Sequence, residues 1–268
     1  AVQNLKNTLE KLHIDLYTHI LNWEKFKKLQ LAFLYGSTPD GEIPTDHAIF
    51  ATLWNVANQM NIKYIISGMN FRTESMSIPH WAYGHSDWVY IKDVYKKFSG
   101  EKLREFPHFT PLYLFYLTFI RRIKTISLLN YVDYNKESAM RILTKELKWQ
   151  YYGGKHYESI YTRFYQGYIL TKKFNIDKRY IHLSDLINSK QITRKDALSL
   201  IKEPTYSNEL QLSDMDYVKK KLELSDDEFE KIMNKKISNF KSFKNIYKVV
   251  HFMKKVVNLL REKGIYPK

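Results

Sequence analysis

Cysteine is absent from all 268 residues, which removes disulfides, thiolate metal sites and cysteine nucleophiles from the available chemistry. Also missing is an apolar run of the roughly 18 residues that a membrane-spanning helix needs. The longest candidate, FTPLYLFYLTFIRRIKTISLLNY (109–131), is interrupted by Pro111 and by Arg121 and Arg122. It reads as a core helix, and its basic end leaves a membrane-surface helix, and with it peripheral membrane association, as the alternative. Nothing resembles a signal peptide, so a cytoplasmic location is expected. Negative charge is scarce: Asp and Glu number 28 against 43 Lys and Arg, a net charge of +15. That surplus favours a polyanionic partner, which can be a nucleotide, a phosphorylated or acidic sugar, a nucleic acid or an anionic membrane, without choosing among them. No internal repeat, low-complexity tract or recognisable RNA-binding motif occurs.

What is present argues for a folded chain. Hydrophobic residues make up 44% and aromatics 15%, with 21 Tyr, so a well-buried core is expected despite the charge. The chain starts at Ala1, without an initiator Met and directly in an amphipathic pattern (Val2, Leu5, Leu9, Leu12); it is expected to be a fragment or a processed chain. IDLYTHI (14–20) reads as a short strand, WEKFKKLQLAFLYG as a helix capped at Gly36, and DHAIFATLWNVANQMN (46–61) as a helix capped by Asp46 or Thr45. KYIIS (63–67) reads as a buried strand. Strand, helix, helix, strand without hairpin signals predicts an α/β fold, part of a doubly wound parallel sheet, over residues 1–86. From residue 87 to 268 the periods are helical, with Ser225 and Glu228 forming a capping box for one helix.

Two segments carry chemistry. SGMNFRTES (67–75) sits where a parallel strand ends, the usual place for ligands in α/β sheets. There Gly68 allows close backbone approach, Asn70 and Thr73 can hydrogen-bond a nucleotide, and Glu74 can hold Mg²⁺ against phosphates. The alternative is a polar loop in which Thr73 or Ser75 caps a helix. The preceding STPDGEIPTDH contributes Asp40, Glu42, Asp46 and His47, which also suit an ordinary turn. In YYGGKHYESIYTRFYQGYILTKKFNIDKR (151–179), helical spacing would bring Lys155, Glu158 and Thr162 to one face, with Arg163 nearby and Gln166 a turn further. A solvated charged face is the competing reading, and His156 and Tyr157 read as packing residues.

The stretches IPTDHAI, KYIISGMNFRTES, LNYVDYNK, YGGKHYESIYTRFYQGYIL and FNIDKR, in that order, resemble the N-acetyl sugar amidotransferase family of PP-loop ATPases. GGKHYES followed by TRFYQGY is the most specific part, and the resemblance covers most of residues 1–240. It implies a nucleotide-binding α/β domain (1–86) with a PP-loop ATPase fold, followed by a helical substrate and partner region (87–268). ATP would adenylate the acetamido oxygen of an N-acetylated sugar of a bacterial surface polysaccharide or flagellar glycan. Ammonia from a separate glutaminase subunit would then displace AMP, leaving an acetamidino group. The residues implied are Lys155, Glu158 and Arg163 in catalysis; Ser67, Gly68, Asn70, Thr73 and Glu74 for ATP, with Mg²⁺ on Glu74; and Asp46, His47, Gln166, Lys178 and Arg179 for an acidic N-acetylated sugar. The family's S-G-G-K-D-S type pyrophosphate loop and its cysteine pairs are absent from these residues, so the chain alone is expected to lack the main phosphate cradle. The competing functions are a PP-loop ATPase that modifies tRNA and a non-enzymatic helical nucleic-acid-binding module. Either would lose RNA affinity steeply with salt, which a sugar enzyme would not show.

Overall fold

The computed structural model describes residues 2–78 and 81–262, so the expectation attached to Ala1 lies outside it. The first helices are α1 (Val2–Leu12), α2 (Trp23–Gly36) and α3 (Ile43–Gln59), followed by strand β1 (Tyr64–Ser67) and a single turn, α4 (Phe71–Glu74). Then come α5 (Trp88–Ser99), α6 (Pro111–Phe115) running into a π turn (Tyr116–Ile120), and strand β2 (Lys124–Ser127). The remaining helices are α7 (Lys136–Leu147), α8 (Ile160–Phe164), a second π turn (Tyr165–Ile169), α9 (Leu170–Phe174), α10 (Arg179–Asn188), α11 (Arg194–Lys202), α12 (Asn208–Leu222), α13 (Asp226–Asn234) and α14 (Tyr247–Glu262).

The fold is mostly helical, with one small sheet. β1 and β2 pair in parallel, from Tyr64 with Lys124 to Ser67 with Ser127. Parallel pairing and a strand at 64–67 agree with the sequence, but the strand is not buried, since only Ile65 of it is covered, and a doubly wound sheet is not seen among the described residues: the sheet has two strands. One of them lies beyond residue 86. It was hidden in the apolar run 109–131, which is not one core helix. Arg122 adopts a left-handed conformation (φ 58°) that ends the helical part, and the chain then extends into β2. Residues 14–20 form neither helix nor strand, and Ile14, Leu16 and Ile20 are exposed. Their alternation satisfies a strand's period, but a strand also needs a ladder partner.

Helix ends show why spacing alone misplaced some boundaries. The left-handed cap of α2 is Ser37 (φ 55°), whose N–H donates to the Leu34 carbonyl, and Gly36 is the last helical residue. α3 begins at Ile43, after Glu42 and with Pro44 in its first turn, so neither Thr45 nor Asp46 is its cap. Ser225 and Glu228 do form the expected capping box of α13.

Three apolar clusters hold these elements. Leu29 and Phe33 of α2 pack with Ile91 and Tyr95 of α5 and with Phe243. Phe164, Ile169 and Leu170 of the α8–α9 segment pack with Val218 and Leu222 of α12 and Phe229 and Ile232 of α13. Under the sheet, Ile65 meets Ala57, Leu117 and Ile123, while Tyr64 and Ile66 point to the uncovered face. Each fully buried large apolar side chain contributes roughly 1.5–3 kcal/mol.

Candidate functional site

The end of β1 is fixed by its own polar residues. Ser67 Oγ accepts from the Met69 N–H at 3.1 Å. Asn70 is buried and caps α4, its Oδ1 accepting from the Thr73 N–H at 3.0 Å while its Nδ2 donates to Thr73 Oγ1 at 3.0 Å. Asn70, rather than Thr73 or Ser75, is therefore the cap. Asn130 Oδ1 accepts from the Phe71 N–H at 2.9 Å, and Arg72 pairs with Asp133 at 2.8 Å. At the far end, the Ser75 hydroxyl and the Met76 N–H both donate to Asp185 Oδ1 of α10, at 2.6 and 2.9 Å. Glu74 is left to face inward. A Cβ at Gly68 would meet nothing within 4 Å, so the space above its backbone is open.

The second segment departs from the expected helix. Gly153 (φ 93°) and His156 (φ 64°) take left-handed conformations, and Ser159 caps α8 by accepting from the Thr162 N–H. Lys155 and Glu158 thus stand on the turn before the helix, not on a helical face with Thr162. Gly154 is packed under the Tyr157 ring; a Cβ there would fall 2.5 Å from Tyr157 Cε1. The Tyr157 hydroxyl in turn donates to the Thr205 carbonyl at 3.0 Å. This turn carries Lys155 Nζ to 3.2 Å from Glu74 Oε1, joining two segments far apart in sequence.

Both segments open onto one cavity of about 640 Å³, whose lining includes Gly68, Asn70, Thr73, Glu74, Lys155 and Glu158. Its other wall is aromatic, from Tyr134, Trp149, Tyr151 and Tyr152. A second cavity of about 340 Å³, lined by Arg163, Gln166, Lys178 and Arg179 among others, shares with the first the residues Lys136, Gly154, Lys155, His182 and Leu186. Of the expected site residues, Ser67, Asp46 and His47 line neither cavity.

Three cations of the second cavity, Arg163, Lys178 and Arg179, already have partners. Arg163, whose fork was expected to face a substrate anion, holds Asp214 of α12 in a bidentate pair, Nε to Oδ2 at 2.7 Å and Nη2 to Oδ1 at 2.6 Å. Lys178 Nζ donates to Glu42 Oε2 at 2.7 Å, and the Gln166 amide donates to both oxygens of Glu42. Arg179 pairs with Asp177 and donates to the Glu203 carbonyl at the end of α11. His47 is fully buried, stacked between Trp88 and Phe109, with Nδ1 2.6 Å from the His85 carbonyl; burial lowers its pKa to about 4. It is a packing residue. Asp46 has an exposed side chain at a crowded surface, where surrounding protein and then Glu42 raise its carboxyl pKa to about 6, Lys178 opposing.

Several lining residues carried no signal in the sequence. Asn4 of α1 lines the first cavity and is buried where the amphipathic pattern placed it in solvent. Its amide donates to the Gln150 carbonyl and accepts from the Gln150 N–H, at 2.8 and 2.9 Å. His182 lies outside every quoted stretch, and Lys136 closes LNYVDYNK, where no role was assigned to it. Among the described residues, no group of three or more His, Asp or Glu is placed to hold a metal unaided.

No curated protein and no solved structure matches the chain. The family model described as LPS biosynthesis protein WbpG-like, C-terminal domain, matches residues 158–257, so this part of the chain is similar to that domain.

Proposed function

We propose that the protein is an ATP-dependent amidotransferase that converts the N-acetyl group of a surface-polysaccharide sugar to an acetamidino group. The observation that carries this reading is the Glu74–Lys155 contact, which brings the two resembling segments onto one cavity. The acetamido oxygen of the sugar attacks the α-phosphorus of ATP and releases pyrophosphate, and ammonia, delivered by a glutaminase partner, then adds at the activated carbon and expels AMP with that oxygen.

The residues fit an ATP–Mg²⁺ site in kind. Mg²⁺ is commonly held by one or two carboxylates together with phosphates, and Glu74 and Glu158 are the carboxylates on this cavity. Lys155 balances Glu74 and offers its remaining donors to an anion, where a fixed positive charge stabilises charge built up on phosphate and on the amide oxygen. The aromatic wall gives the base an apolar face to stack on. Lipopolysaccharide biosynthesis favours a sugar over RNA as the acceptor.

The test is amidine formation by the native enzyme from ATP, Mg²⁺, ammonia and an N-acetylated sugar acid, read by mass spectrometry. Loss of one charge-assisted contact, about 1.5–3 kcal/mol, corresponds to roughly one to two orders of magnitude in rate. Lys155→Ala and Glu74→Gln are expected to show such losses. Absence of any amidine product, or normal turnover in both variants, would overturn the reading.

A further inference from the structure

Four cations line the cavities with a carboxylate already in place: Lys155 on Glu74, Arg163 on Asp214, Lys178 on Glu42 and Arg179 on Asp177. Lys136 and His182 differ. Among the described residues Lys136 forms no ion pair, and the groups that depress its pKa are its surroundings, by burial, and then Lys155. His182 makes no side-chain hydrogen bond among the described residues. After burial, the groups acting on it are all basic: Lys155, His156, Lys178 and Lys136. Both residues stand, with Lys155, on the wall common to the two cavities. Of the cations lining the two cavities, Lys136 is therefore the one without a carboxylate among the described residues, and it stands beside Lys155 and His182 between an aromatic chamber and a polar one.

Resting on the function proposed above, we infer that Lys136, Lys155 and His182 form a diphosphate clamp, which holds the phosphates of a nucleotide where the two chambers meet. An anion there relieves repulsion between Lys136 and Lys155 and receives donors from three elements: the first turn of α7, the turn before α8, and α10. The neutral imidazole of His182 donates a hydrogen bond, while the two ammonium groups supply charge. The clamp would accept a diphosphate either from ATP or from a nucleoside diphosphate that carries the sugar.

Inorganic pyrophosphate is the direct probe, titrated calorimetrically into the whole chain. Lys136→Gln and His182→Asn are each expected to weaken pyrophosphate at least about tenfold, or about 1.4 kcal/mol. Lys145→Gln, which removes the same charge from an exposed position on the same helix, is expected to stay within about twofold, as surface charges do. No pyrophosphate binding by the unaltered chain, no loss in Lys136→Gln, or an equal loss in Lys145→Gln would overturn the clamp. If His182→Asn fails to fold by circular dichroism, Lys136→Gln alone decides, because Lys136 lines the cavity wall and belongs to none of the apolar clusters. Competition of bound pyrophosphate by ATP, against competition by a nucleoside diphosphate N-acetylhexosamine, identifies the source of the phosphates. Pyrophosphate binding that depends on Lys136, in a protein whose native form makes no amidine, would retain the clamp and reject the proposed reaction.

Discussion

Removing Asp214 should be among the most damaging single changes available in the helical region. Its carboxylate receives two hydrogen bonds from Arg163, and the pair is nearly sealed, with side-chain exposures of 12% for Arg163 and 4% for Asp214. The guanidinium also donates to the Tyr157 carbonyl at 3.3 Å and lies 5.2 Å from the centre of the Tyr157 ring, so it links the cavity turn, α8 and α12. Asp214→Ala leaves that cation buried without its counter-charge, which typically costs about 3–5 kcal/mol. At about 2–4 °C per kcal/mol for a chain somewhat under this size, the thermal midpoint should fall by roughly 6–20 °C. Arg163→Lys should lose much of the same stability, because a single ammonium cannot reproduce the fork. The double change Arg163→Met with Asp214→Leu restores volume without charge and should recover most of the loss. Thermal unfolding followed by circular dichroism is the assay. A drop under about 2 °C in Asp214→Ala, together with lost turnover, would refute this reasoning and return Arg163 to the substrate.

Stability should fall with acid between about pH 6.5 and pH 4. The folded-state pKa of His47 is lowered to about 4 and that of His182 to about 3, so the unfolded chain binds more protons in that window, at about 1.4 kcal/mol per pH unit for each group. Asp46, raised to about 6, and Asp40, raised by burial, act in the opposite sense. Urea midpoints at pH 7 and 5 test the net sign, and His47→Phe should make the slope shallower. Gly41→Ala should destabilise by about 1–3 kcal/mol, because its Cβ would fall 2.4 Å from Tyr165 Cε2 in the core; an unchanged melting temperature would show that the ring moves freely. Asn4→Asp should loosen α1 by about 1–3 kcal/mol, since a carboxylate cannot donate to the Gln150 carbonyl. Faster amide exchange in α1 would report it, and unaltered exchange would contradict it. A double-mutant cycle on Glu74 and Lys155 should give no more than about 1 kcal/mol of coupling in stability, both side chains being about 30% exposed.

Residues whose partners lie within one turn were legible in the sequence. Ser225 and Glu228 cap α13 as expected because both bonds close within four residues. The β-branched run before Ser67 is a strand, and the polar cluster after it lines a cavity. What failed depended on distant neighbours. β2 was unreadable because its Ile126 continues an apolar run that begins in α6, and only the pairing with β1 separates them. Arg163 looked available to an anion because nothing near it in sequence announces Asp214. Lys155 and Glu158 reached the cavity by a different route from the expected one. Two left-handed residues turn the chain there, a conformation that His156 does not advertise. Lys136 and His182 are unremarkable in isolation and acquire a meaning only when α7 and α10 meet at one wall.

The two-stranded sheet sets a timetable for folding. Its first paired residues are Tyr64 and Lys124, and closing a loop of that span costs about 3–4 kcal/mol in chain entropy before any ladder bond forms. Four residue pairs cannot offset this alone, so the strands should join only after α3 and the α6 segment have collapsed around Ile65, Leu117 and Ile123. During synthesis, at about 5–20 residues per second, β1 emerges roughly 3–12 s before β2. Throughout that interval the edge that β2 later covers is open and Ile65 lacks the cover of Leu117 and Ile123, which makes the nascent chain, rather than the finished protein, the species most exposed to strand-to-strand aggregation.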